Sequence, residues 1–119
     1  MASYSKRLLS GSTNGRVIPV AATATPGTTI HTAVSGASDL DEIYLWASNV
    51  TGTAATLTVE YGGVLDPGDH IVKAYSIAAN SVPVLIADGI LLQNGLVVRA
   101  FSGTASAINV SGYVNRITA

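Results

Sequence analysis

The chain has 119 residues, which is the length of one small domain rather than of a two-domain enzyme. Charged side chains make up only 11% of it, with six basic and seven acidic residues and a formal net charge of −1. Neither the number nor the sign of these charges is typical of a protein that binds nucleic acid or a membrane surface, and we expect neither partner. The absence of cysteine excludes disulfide bonds, thiolate metal ligands and a cysteine nucleophile.

The remaining composition favours strands and turns. Valine, isoleucine and threonine, which are enriched in strands, number 13, 9 and 12, and glycine numbers 12. So few charges also imply that part of the surface is apolar or neutral, and such surface is often covered by other subunits. We therefore expect an all-β domain that takes part in an assembly.

The predicted strands follow one another about every dozen residues, separated by turn-forming residues. Before them, the Ser-, Gly- and Asn-rich run at 11–15 predicts that residues 1–15 form a flexible or partner-dependent arm. The predicted strands cover residues 16–22, 28–34, 40–49, 54–61, 71–77, 82–87, 90–93, 96–101 and 105–117. Pro19 and Pro83 mark two of them as edge strands, because proline cannot donate to a strand ladder.

Alternation of side chains assigns the faces of the strand at 40–49. It places Ile43, Leu45 and Ala47 on one face, and Tyr44 and Trp46 on the other. Aromatic side chains on the second face of a strand are unusual. We interpret that face as an aromatic patch that is covered within the domain or at a subunit contact.

Turn chemistry predicts how neighbouring strands connect. The turn at 50–53 and the Asn94-Gly95 pair both predict hairpins, and Asp88-Gly89 predicts a further turn. No segment shows helical spacing. The predicted fold is an all-β single domain, a β-sandwich or a jelly-roll-like arrangement over residues 16–119, preceded by the extended N-terminal arm.

The histidines do not form a catalytic or metal-binding pattern. His31 and His70 each lack a second histidine at ligand spacing, and we interpret His31 as a half-exposed strand residue. Asp66 and Asp69 share a turn, but a calcium site takes about six to eight oxygen ligands and the sequence shows no fuller set. We predict no enzymatic activity, no cofactor and no metal.

The densest acidic cluster is formed by Asp39, Asp41 and Glu42. In an alternating strand Asp41 and Glu42 point to opposite faces, so they do not make the paired carboxylates of a glycosidase. We interpret these charges as solvated or as intersubunit contacts.

Three segments resemble small virion proteins of tailed bacteriophages. They are RVIPVAATATPGTTIHTA at 16–33, NGLVVRAF at 94–101 and INVSGYVNRI at 108–117. With the size and the predicted fold, the resemblance implies a capsid decoration (cement) protein, whose sandwich subunits commonly sit as trimers on the outer face of the shell. It implies the major capsid protein and further copies of the chain as partners. It also implies the capsid surface of the virion as the location, after synthesis in the host cytoplasm.

Six residues are predicted to make these contacts. We expect the arm, extending from Ser3 to Val20, to reach the capsid or a neighbouring subunit and to meet acidic partners there. The basic residues of this arm and the predicted aromatic anchors are Lys6, Arg7, Arg16, Tyr44, Trp46 and Phe101.

Two other functions stay open at the level of the sequence. A tail, neck or head-fibre component would use the same β module and would also oligomerise. A carbohydrate-binding surface module would stack Trp46 and Tyr44 on a sugar, beside the acidic cluster at 39–42. The second alternative predicts a sugar affinity that Trp46→Ala abolishes.

Overall fold

A computed structural model describes residues 2–119 of the chain. Over these residues it contains nine β-strands and no helix. They are β1 (Ser3–Leu8), β2 (Ile18–Pro19), β3 (Thr28–Thr32), β4 (Leu40–Asn49), β5 (Ala55–Tyr61), β6 (His70–Ile77), β7 (Val84–Leu92), β8 (Val97–Ser102) and β9 (Ile108–Thr118). The prediction of an all-β domain is confirmed.

The strands form two antiparallel sheets that pack together as a sandwich. The first sheet has the order β1-β9-β4-β7, with β2 also paired to β9, and the second has the order β3-β8-β5-β6. Strands from the two halves of the chain pair in nested order: β5 with β6, β4 with β7, β3 with β8 and β2 with β9. The chain is thus one long hairpin folded over so that successive pairs alternate between the sheets, which is the arrangement of a jelly roll.

This topology shows that both hairpin predictions are wrong. β4 and β5 lie in different sheets, and so do β7 and β8, so the turns between them carry the chain from one sheet to the other. At the first crossing the buried Asn49 side chain donates hydrogen bonds to the carbonyl oxygens of Thr53 (2.8 Å) and Ile77 (3.0 Å), which ties the turn to β6. The predicted turn at Asp88-Gly89 is instead a bulge within β7, where the register with β4 shifts.

The core lies between the two sheets and consists of aliphatic side chains from their inner faces. On β4 the predicted alternation is confirmed, because Ile43, Leu45 and Ala47 are buried. Leu57 of β5 and Ile108 of β9 are also fully buried. Each of these leucine and isoleucine side chains contributes about 1.5–3 kcal/mol by leaving water.

The N-terminal segment that was predicted as an arm includes an ordered strand. β1 pairs antiparallel with β9, from Ser3 opposite Thr118 to Leu8 opposite Tyr113, and most of its side chains are exposed. The next residue, Leu9, is buried in the core. The segment is therefore extended, as predicted, and forms an edge of the first sheet; its dependence on a partner stays a prediction.

Candidate interaction face

Three aromatic rings lie together on the outer face of the first sheet. Tyr44 of β4 is directly opposite Tyr113 of β9, and their nearly parallel rings have centroids 4.8 Å apart. Trp46 lies diagonally from Tyr113, with the centroids 6.2 Å apart. From the other side of β9, the Lys6 ammonium lies 4.8 Å from the centre of the Tyr113 ring. We call Lys6, Tyr44, Trp46 and Tyr113 the aromatic face.

Two glycines leave room for Tyr44. Gly112 has a φ of 153°, and a Cβ at this position would collide with the backbone carbonyl oxygen of Tyr44. Gly89, at the bulge of β7, has a φ of 80°, and a Cβ there would lie 3.0 Å from the Tyr44 hydroxyl oxygen. Side chains other than glycine rarely adopt such backbone angles, so both positions favour glycine.

Negative charges surround the hydroxyl end of this cluster. Partial desolvation raises the pKa of the Tyr44 hydroxyl, and the carboxylates of Glu42 and Asp88 raise it further. Glu42 is itself held in place, because its Oε1 accepts a hydrogen bond of 2.8 Å from the Asn115 side-chain amide. Tyr44 therefore stays neutral at physiological pH and keeps a hydroxyl that donates a hydrogen bond.

Exposed apolar side chains flank the aromatic face on both sides. The two edge strands, β1 and β7, supply Tyr4, Leu8, Leu85 and Leu91, which are 68%, 58%, 49% and 50% exposed. Leu8 is opposite Tyr113, and Leu85 is opposite Trp46, so they lie on the same side of the sheet as the rings. Large exposed apolar patches of proteins are often interaction sites, which makes this face the candidate surface.

The structure brings three of the six predicted contact residues together and separates Phe101 from them. Lys6, Tyr44 and Trp46 share the outer face of the first sheet. Phe101 belongs to β8 in the second sheet, where its ring lies edge-on to His70 with a centroid distance of 6.4 Å. The aromatic anchors that the sequence predicted therefore lie in two different sheets.

The other two predicted residues are basic and lie apart from the rings. Arg7 is exposed and follows Lys6 in β1, so alternation directs it to the opposite side of the strand, and its Nε donates a 3.1 Å hydrogen bond to Ser5 Oγ. Arg16 lines a separate cleft of about 330 Å³ between residues 11–13 and 16–19. Tyr113 was not among the predicted contact residues, although alternation along the last strand directs its side chain to the face that does not carry the buried residues.

The structure also contains a buried ionic cluster that was not predicted from the sequence. Asp41 is fully buried, and its Oδ2 accepts hydrogen bonds from His31 Nε2 (2.8 Å) and from the backbone N–H of Val34 (3.0 Å). The Arg116 guanidinium donates two more, from Nε to Oδ1 (2.8 Å) and from Nη2 to Oδ2 (3.0 Å). Desolvation raises the pKa of Asp41, but the hydrogen bonds from Arg116, His31 and Val34 outweigh it and hold the pKa below its ordinary value of 3.8.

His31 and Asp41 have a structural role in this geometry. His31 Nδ1 accepts a 3.0 Å hydrogen bond from the backbone N–H of Ser10, so the proton is on Nε2, which donates to Asp41 Oδ2. The interpretation of His31 as half-exposed is wrong, because a bulge in β3 turns both Ile30 and His31 inward. The interpretation of Asp41 as a solvated or intersubunit charge is also wrong. Its position on the apolar face of an alternating strand was the signal for a buried ion pair.

The carboxylates of Asp66 and Asp69, in the turn between β5 and β6, bind to groups of the same chain. Asp66 Oδ1 lies 2.7 Å from the Lys73 ammonium, and Asp69 Oδ2 accepts a 3.0 Å hydrogen bond from the backbone N–H of Leu65. Among residues 2–119, no group of three or more His, Cys, Asp or Glu side chains is placed to hold a metal ion. In this part of the chain, no helix has the length and apolar character needed to cross a membrane.

Comparison of the chain with protein-family models, with curated proteins and with solved structures finds no match. The resemblance to virion proteins of tailed bacteriophages therefore stays a prediction from the sequence. What the structure establishes is the fold, an all-β sandwich of two antiparallel sheets, with the aromatic face on the outer side of one of them.

Proposed function

We propose that this protein is a structural protein of a tailed-bacteriophage virion. Its role is that of a capsid decoration protein, which assembles with itself as a trimer and stabilises the shell by docking on the head surface. The observation that carries the proposal is the aromatic face, with the exposed aliphatic side chains that flank it. Buried aromatic side chains are the usual anchors of protein interfaces. The jelly-roll arrangement supports the same role, since viral capsid domains often have it.

The geometry of the rings favours a protein partner over a sugar. A sugar stacks on the free face of an aromatic ring. In this cluster Tyr44 and Lys6 approach Tyr113 from the two neighbouring strands, so the faces of its ring are occupied from both sides. Trp46 is also stacked towards Tyr113. The exposed aliphatic side chains of Leu8, Leu85 and Leu91 flank these rings, and aliphatic and aromatic groups side by side are the chemistry of a packed protein interface.

The charge beside the rings fits an acidic docking surface. Two of the basic side chains, Lys73 and Arg116, are paired with carboxylates of the same chain. Lys6 on β1 is exposed next to the aromatic face, and Arg7 is exposed on the opposite side of the same strand. They supply the positive charge with which the N-terminal strand would meet an acidic region of the capsid protein.

A co-sedimentation experiment tests the docking. The protein is mixed with undecorated shells assembled from the major capsid protein of the same phage, and the bound fraction is measured against concentration. We expect saturable binding that Trp46→Ala weakens by at least tenfold, because an interface anchor contributes about 1.4 kcal/mol or more. Phe101→Ala is the matched control, since it also truncates an aromatic side chain but lies in the other sheet, and we expect it to bind like the unmodified protein.

Other outcomes would assign a different function. Binding to purified tails or necks but not to head shells would identify the protein as a component of those structures. Retention on a glycan column that Trp46→Ala abolishes, without any binding to shells, would favour the carbohydrate-binding alternative. Equal binding of Trp46→Ala and the unmodified protein to shells would refute docking through the aromatic face.

A further inference from the structure

The first sheet ends in two open edges of opposite character. β1 forms one edge and carries two exposed basic residues, Lys6 and Arg7. β7 forms the other edge; six of its nine residues are valine, isoleucine or leucine, and its one charged residue is the exposed Asp88. Within residues 2–119, β7 pairs only with β4, so its other edge is open. A long, apolar edge strand of this kind tends to pair with another strand.

We propose that β1 of a second copy of the chain adds to β7 of the first, joining their first sheets into one antiparallel sheet. The directions of the strands permit this contact. β1 is antiparallel to β9, β9 to β4 and β4 to β7, so β1 and β7 run in opposite directions. Two copies placed side by side in the same orientation therefore meet with antiparallel edges. The inference names the surfaces for the self-association proposed above and does not depend on the capsid as a partner.

The existing pairing of β7 with β4 indicates the register of the added strand. Because β7 contains bulges, every third residue of β7, rather than every second one, lies opposite alternate residues of β4. The three pairs on the outer face are Leu91 with Glu42, Asp88 with Tyr44, and Leu85 with Trp46.

β1 offers side chains that match this outer face of β7. Its alternate outer residues are an aromatic, a basic and an aliphatic one, all exposed. In the same register, the pairs between copies are Tyr4 with Leu91, Lys6 with Asp88 and Leu8 with Leu85. An opposite-charge pair flanked by two apolar pairs is a stabilising cross-strand arrangement. Lys6 reaches Asp88 by rotating its long, flexible side chain away from Tyr113.

The alternative pairings between copies bring like charges together. Pairing of two β1 edges would bring Lys6 and Arg7 of one copy close to the same residues of the other. Pairing of two β7 edges centred on Asp88 would bring the two Asp88 carboxylates together. Like charges on directly opposed strands are destabilising. The contact is therefore head-to-tail, and it closes into a ring or continues as a row according to the rotation between copies.

The inner side of β7 has space for the added strand. A groove of about 570 Å³ opens between β6 and β7 and is lined by residues 71–76 and 84–86. Ile71 and Tyr75 of this groove are 37% and 48% exposed. The inner side of an added β1 carries the small Ser3 and Ser5 together with Arg7, and these side chains would enter the groove.

Exchange of the two charges tests the contact. The solution mass is measured by light scattering and sedimentation over a range of concentrations, with circular dichroism to verify folding. We expect the unmodified protein to associate into multiples of 12.1 kDa. Lys6→Glu and Asp88→Lys should each weaken association by about tenfold, and the double variant with both changes should restore it. Arg99→Glu is the matched control, because it makes the same charge change as Lys6→Glu but lies on β8 in the second sheet.

Three results would overturn the inference. They are a monomeric unmodified protein at every concentration, association that both single charge variants leave unchanged, and a folded double variant that stays monomeric. Shell binding, measured in parallel with Trp46→Ala, separates this inference from the proposed function. An unmodified protein that binds shells but does not associate with itself would refute only the contact between copies, whereas one that associates but does not bind shells would refute only the docking.

Discussion

Replacing Asp41 by asparagine removes one charge from the centre of the buried cluster that joins β3, β4 and β9. The carboxylate accepts four hydrogen bonds, from His31, Val34 and twice from Arg116. An asparagine of nearly the same size has one acceptor oxygen and an NH₂ group. The NH₂ group would face donors, so at least one of them loses its partner inside the protein.

The expected loss of stability follows from the burial of the two charges. Breaking a buried ion pair by removing one partner costs about 3–5 kcal/mol. The Arg116 side chain is 23% exposed, so water can solvate it in part, and we expect the lower end of that range. A loss of about 3 kcal/mol corresponds to a decrease of about 12 °C in the melting temperature for a domain of this size.

Urea unfolding, followed by far-UV circular dichroism and by the fluorescence of the single tryptophan, measures the free energy of unfolding. Glu42→Gln is the matched control, because Glu42 is the next residue on the same strand but faces outward and accepts one hydrogen bond from Asn115. We expect this control to change stability by less than about 0.5 kcal/mol. A loss below about 1 kcal/mol for Asp41→Asn would show that the cluster contributes no more than a surface ion pair and would refute the reasoning.

Three further predictions concern pH, close packing and the core. Because the folded state lowers the pKa of Asp41 below 3.8, the stabilisation from its charge is complete well above pH 3.8 and is lost as the pH falls through the folded pKa; Asp41→Asn should flatten this acid limb of a stability profile measured by urea unfolding. Gly112→Ala places a methyl group against the backbone of β4 and should cost about 2–4 kcal/mol in the same assay, whereas Gly52→Ala, in open space, should change stability by less than about 0.5 kcal/mol. Leu57→Ala empties a fully buried position and should lower the unfolding free energy by about 3 kcal/mol, and Leu65→Ala, at a position that is 70% exposed, should have little effect. Equal effects of the two members of either pair would contradict the assignment of these positions.

The faces of β4 could be predicted from the sequence because they depend on local geometry. Successive side chains of a strand point to opposite sides, so Leu45 and Trp46 had to lie on different faces. The bulge in β3 is a feature that alternation alone does not reveal, and it buries His31 against expectation. The type of connection formed by residues 50–53 could not be predicted either, because these residues are compatible both with a hairpin and with a crossing between sheets. Only the position of β5 beside β8 and β6 decides between the two.

An all-β domain, with aromatic side chains on the face of one strand opposite to its aliphatic residues, could be predicted from the sequence. Those properties follow from strand propensity and from a period of two, which act over a few residues. Which distant residues meet depends instead on how the strands pair in the folded domain. Asp41 and Arg116 are 75 positions apart, and they reach each other because β9 closes the folded hairpin beside β4. The same pairing places Tyr113 opposite Tyr44 and so completes the aromatic face, which no local pattern specifies.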